Sequence, residues 1–183
     1  MARRDLTAAV RDYLEPLHQA LGCITFERLA LVERTRFQPN TAYAVLLRNF
    51  EPVPLRAPSP LRISIAQTIR IVADQRPRSV SGFRAEMIQY FFGFSTLDGR
   101  EILGYHWTPD AVADNTVTFP HLHIGRAIIG GQAAIRPRDL HKAHIPTGNV
   151  SVPAMVRLAI VEFGVFPLRP NWAEILERGE TTT

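Results

Sequence analysis

Cysteine is nearly absent from this sequence. Cys23 is the only one in 183 residues, which excludes an internal disulfide and a zinc site built on thiolates. Lysine is as scarce: Lys142 stands alone among 21 basic residues, so the positive charge is carried by arginine. No apolar run is long enough to cross a bilayer, and the N-terminus shows no secretory leader. These absences predict a cytoplasmic protein with a reduced thiol and no membrane partner. The net charge of +4 permits a phosphate-rich partner without requiring one. A hydrophobic fraction of 46% against 21% charged residues excludes a disordered chain and predicts a real core.

The residues present predict an α+β fold. Leu6, Val10, Tyr13, Leu14, Leu17 and Leu21 recur at helical spacing between Asp5, a candidate N-cap, and Gly22. Pro16 should kink or divide that helix. Thr41–Phe50 reads as a short strand, and residues 24–37 show no clean period. Four prolines between Glu51 and Pro60 suggest a linker or surface arm. The reading therefore separates an N-terminal mixed segment of unknown role (1–58) from a histidine-bearing sheet and helices (59–183), the two forming one compact domain.

Leu61–Ala73 alternates strictly between apolar and other residues, as a half-buried antiparallel strand does. Phe83–Ile128 follows as a long hairpin, a loop and a third strand. Asp98-Gly99 predicts a two-residue hairpin loop. Leu97 then faces Arg100, and Phe94, Phe92 and Tyr90 face Leu103, Tyr105 and Trp107. One face collects Ile88 and these aromatic pairs as a core face. The other collects Met87, Gln89, Phe91, Gly93, Ser95, Ile102, Gly104 and His106, with the two glycines leaving backbone bare. The expected architecture is a meander of antiparallel strands covered on one face by helices. Ser151 caps a helix whose stripe, Val152, Met155, Val156, Ala159, Ile160 and Phe163, should lie on the aromatic face, with Gly164 ending it. A short helix over Pro170–Glu177 and a frayed tail complete the chain.

Five of six histidines fall between His106 and His144; His18 reads as a surface residue. His121-Leu122-His123 on a strand sends two imidazoles to one side. Such a pair can act as acid and base, as cleavage of RNA by its own 2′-hydroxyl requires, with no metal or other cofactor. His121 and His123 are then the acid–base pair and His106 an auxiliary. Arg126, Tyr105, Lys142 and His144 are candidate substrate contacts, although a regular strand would turn Arg126 away from both histidines. His141 is read as peripheral. The same imidazoles could instead hold a metal, with His106 or His144 completing three ligands. That reading ranks lower because no carboxylate falls within the motif. A third reading makes the histidines incidental to a protein-binding module.

Tyr90–Phe94, the Asp98-Gly99 turn, Tyr105-His106-Trp107, Thr118–Gly125 and the helix over Ser151–Phe163 together resemble the TumE-like toxins of bacterial toxin–antitoxin systems. The likeness covers about half of the chain. It implies a ribonuclease-like or translation-blocking toxin, with RNA as substrate and a cognate antitoxin protein as partner. Family members carry a Pro-His-x-x-His-like segment where this chain has His-x-His.

Overall fold

The computed structural model describes residues 3–32, 36–75, 82–110, 117–125 and 143–182, with side chains described from residue 6 to residue 180 of those ranges. Among the described residues, three α-helices and an eight-stranded antiparallel sheet make up an α+β fold. The elements are α1 (Arg3–Leu21), β1 (Leu29–Leu31), β2 (Ala42–Leu47), β3 (Val53–Leu55), β4 (Leu61–Ala73), β5 (Phe83–Ser95), β6 (Glu101–Trp107), β7 (His121–Ile124), β8 (Ile145–Pro146), α2 (Val152–Val161) and α3 (Trp172–Thr182). The sheet runs β1-β2-β4-β5-β6-β7-β8, and β3 shares the outer edge of β4 with β2. Among the described residues, no helix is long and apolar enough to cross a membrane.

The proline-rich stretch is not a linker. Val53–Leu55 pairs with Leu61–Ile63, and Pro54 is tolerated because β3 is an edge strand. Residues before 58 thus supply α1 and three strands to the same sheet and core. Between β2 and β3 the chain turns through Arg48, Asn49 and Phe50, all with left-handed φ of 46°, 54° and 70°. The turn sets Phe50 edge-on to Phe91, ring centroids 5.4 Å apart.

Alternation in β4 places Ile63, Ile65, Ile69 and Ile71 on the covered face, all fully buried. Gln67 is the polar exception on that face. Its carbonyl accepts from the Tyr13 hydroxyl at 3.0 Å, and its amide lies 3.4 Å from the Met87 sulfur. Burial pushes the Tyr13 hydroxyl pKa upward, which keeps it a neutral donor. Met87 corrects the sequence reading, which put it on the opposite face. A bulge leaves Ile88 unpaired between Ile69–Met87 and Thr68–Gln89, so the alternation of β5 reverses there.

Helix α1 passes through Pro16 as one element and lies on β5. Helix α2 packs on α1 and α3, its stripe residues Val152, Met155, Val156 and Ala159 share one core with Tyr90, Phe92 and Phe94, and Phe163 just beyond it meets Phe94 edge-on at 5.0 Å. Ser151 caps α2 by accepting from the Ala154 amide at 3.2 Å, and Gly164 follows with φ of 67°. The expected frayed tail is helical to Thr182; Arg157 grips Glu180 through two bonds of 3.0 and 3.2 Å.

Candidate functional site

The three described helices cover the face of the sheet that carries Tyr90, Phe92 and Phe94, and His106, His121 and His123 occupy the other. The pairing of β5, β6 and β7 explains how. Gly93, Gly104 and His123 are in register across three strands, and Phe91, His106 and His121 form the next row. Directly opposed residues share a face, so His106, His121 and His123 rise from one surface, as the sequence predicts. His144 precedes β8, one step beyond the Leu122–Ile145 pair, which places it opposite His123. Ring centroids of His144 lie 4.9 Å from His121 and 4.7 Å from His123. His144 is exposed at the rim, while His121 is only 5% exposed beneath the cluster.

The pairing is as expected, but the turn that generates it is not. Asp98 does not take the left-handed φ that a two-residue Asp-Gly loop requires. The loop has three residues instead: Thr96 pairs with Arg100, the Gly99 amide donates to the Thr96 carbonyl at 3.0 Å, and Gly99 alone is left-handed at φ 85°. The Thr96 hydroxyl bonds the Asp98 carboxylate and accepts from the Arg100 amide at 3.1 Å. One extra loop residue would exchange the faces of β6. A bulge at Ile102 cancels it, since Ser95 pairs with Glu101 but Phe94 with Leu103.

That compensation brings a carboxylate to the histidines. In an unbroken strand Glu101 would share the face of Leu103 and Tyr105. The bulge instead turns it to the face of Gly104. A Cβ on Gly104 would stand 2.9 Å from His106 Nε2 and 3.0 Å from Glu101 Oε2, so both side chains converge over this glycine. Burial raises the Glu101 carboxyl pKa, and the carboxylate has no partner among the described residues. Gly125 is needed for the same junction. Its amide donates to the Ile102 carbonyl at 2.7 Å, and a Cβ there would meet the Glu101 carbonyl oxygen at 1.9 Å.

Hydrogen bonding fixes the tautomer of one imidazole in the cluster. His121 Nδ1 lies 2.8 Å from the Phe119 carbonyl, which can only accept. The proton of neutral His121 is therefore on Nδ1, and its Nε2 presents a lone pair 3.0 Å from His123 Nε2. His106 Nε2 is buried without a hydrogen-bond partner. Burial, then the neighbouring imidazoles of His123, His121 and His144, depress the His106 pKa from 6.5 to about 4. His106 is thus neutral near pH 7. One ring nitrogen from each of His106, His121 and His123 falls within 4.8 Å of the others.

The remaining candidates divide. Tyr105, expected to touch substrate, stands on the helix-covered face, paired with Phe92 and packed on the core. Strand alternation separates it from its neighbour His106. Arg126, Lys142 and His141 lie outside the described residues. His18, expected on the surface, has its Nε2 3.0 Å from the Leu29 carbonyl. Glu101 was missed because alternation alone assigns it to the core face; Gly at the third loop position was the available signal for the longer turn. No protein-family model, curated protein or solved structure matches this chain.

Proposed function

We propose that the protein is a metal-dependent hydrolase whose divalent ion is held by His106, His121 and His123. Two observations carry this reading: His106 Nε2 is buried without a hydrogen-bond partner, and one ring nitrogen from each of the three imidazoles lies within 4.8 Å of the others. A buried polar nitrogen without a partner costs about 1–3 kcal/mol, and a metal ion bound to it would remove that cost. Tetrahedral zinc places its nitrogen ligands roughly 3.3 Å apart. The His121–His123 separation of 3.0 Å needs to open by only a few tenths of an ångström. Imidazole-rich donors suit zinc and the late first-row metals.

An ion held by these imidazoles would supply polarisation of a substrate oxygen and acidification of water. The chain supplies the rest. The Phe119 carbonyl orients His121 and holds its proton on the far nitrogen. Glu101, above Gly104, accepts a proton from the attacking water and returns it to the leaving group. His144 closes one side of the rim and offers a further donor there.

One equivalent of zinc or cobalt(II) should bind per chain, with each of His106→Ala, His121→Ala and His123→Ala weakening it about a hundredfold or more. Glu101→Gln should keep the metal and lose hydrolysis of activated phosphate and carboxylate esters. A parent chain that binds neither ion at micromolar concentration would remove this reading. The His121–His123 nitrogen contact favours one alternative, metal-free acid–base cleavage of RNA by a TumE-like toxin with an antitoxin partner. Cleavage of total RNA that persists in chelator and disappears in His121→Ala would select it.

A further inference from the structure

On the face that carries the histidines, Arg62, Ser64 and Ser95 have no side-chain hydrogen-bond partner among the described residues. Arg62 on β4 is directly opposite Ser95 on β5, and Ser64 follows Arg62 on the same face. Arg62 Nε is shielded from solvent and makes no hydrogen bond. Neither serine hydroxyl has a partner among the described residues. A guanidinium whose shielded Nε is unpaired, beside two hydroxyls, is suited to an oxyanion. Ser95 pairs in turn with Glu101, whose carboxylate leans away toward Gly104 and His106.

The ground between this group and the imidazoles is low and apolar. Ser64, Gly93 and Gly104 form one row leading to His123. Phe91 folds its ring across Gly93, where a Cβ would meet that ring at 2.8 Å. The same ring stands edge-on to His106 at 4.6 Å. Two strand spacings and a two-residue offset along the strand separate Arg62 from Gly104, roughly 12 Å, and the Arg62 side chain spans part of that.

We infer that the substrate is a small organic oxyanion, a carboxylate or phosphoryl group held by Arg62, Ser95 and Ser64, joined by a short apolar spacer over Phe91 to the bond cleaved at the histidines. The inference rests on the metal-centre reading, because it takes the hydrolysed bond to lie at His106, His121 and His123. It makes Arg62 a specificity-determining residue.

The test uses zinc-loaded protein and hydroxamates of graded chain length, which bind a metal through one end. One series ends in a methyl group, one in a carboxylate and one in a phosphonate. At one chain length an anionic tail should tighten binding about tenfold or more over the methyl tail. The series with the larger gain identifies the oxyanion. Arg62→Gln should abolish that gain without changing methyl-tail affinity, and Arg62→Lys should retain part of it. Ser95→Ala should reduce the gain even if Arg62→Gln does not fold. Equal affinity for all tails in the parent, or a gain that survives Arg62→Gln, overturns the inference and leaves the metal centre standing. Failure of every hydroxamate to bind the zinc-loaded protein also overturns the inference, whereas a chain that takes up no zinc removes the metal centre and the inference together.

Discussion

Replacing Gly104 by alanine separates the geometry of the histidine cluster from the stability of the sheet. The new Cβ would stand 2.9 Å from His106 Nε2 and 3.0 Å from Glu101 Oε2. Ordinary non-bonded contact begins near 3.5 Å, so each tip must retreat by about half an ångström. Both obstructing atoms are ends of side chains, which can move by rotation. Gly104 does not have a left-handed φ, so alanine suits its backbone and reduces the entropy of the unfolded chain. The net change in unfolding free energy should stay within about 1 kcal/mol. Ligand nitrogens, by contrast, must hold their distances to about 0.2 Å. Displacing His106 beyond that should weaken zinc or cobalt binding roughly ten- to a hundredfold. Chelator competition measures the affinity, and urea unfolding of the metal-free protein measures the stability. Gly125→Ala is the contrasting case. Its Cβ would meet the Glu101 carbonyl oxygen at 1.9 Å and the Ile102 amide nitrogen at 2.7 Å, and backbone cannot rotate aside. It should cost about 2–4 kcal/mol, from overpacking and loss of the amide bond to Ile102. Full metal affinity in Gly104→Ala would refute the convergence of His106 and Glu101 over that glycine. Stability changes of equal size in the two variants would refute the distinction between movable and fixed obstacles.

Two further outcomes follow from buried groups. His106 takes up a proton near pH 6.5 when unfolded but only near pH 4 when folded, so the unfolded chain holds more protons between those values. Metal-free protein should therefore lose stability as pH falls through that window, and His106→Gln should show a shallower loss; identical urea midpoints for both proteins from pH 7 to pH 4.5 would contradict this. Tyr13→Phe removes the donor to the buried Gln67 carbonyl and should cost about 1–3 kcal/mol in urea unfolding. The double variant Tyr13→Phe/Gln67→Leu should recover part of that loss, since no orphaned acceptor remains, and a double variant weaker than the single one would contradict the account.

Local chemistry in the chain determined the element types and which histidines could share a surface. The strict alternation of residues 61–73 has one solution, because a one-residue slip would expose four isoleucines. His121 and His123 are two residues apart on a strand and must point the same way. The Ser151 cap was legible for a similar reason, as capping is a contact between near neighbours. Tertiary structure decided what alternation could not. Asp98-Gly99 fits either a two-residue loop or the end of a three-residue one, and only the bulge at Ile102 chooses between them while preserving the pairing beyond. That bulge carries Glu101 from the core face to the imidazoles. The bulge at Ile88 sends Met87 the other way. Edge placement made a strand of a segment whose prolines argue for an arm. Extra residues in a ladder leave no periodic trace in a sequence, since their effect is to reverse the period, and the partner strand that fixes where they fall is distant along the chain.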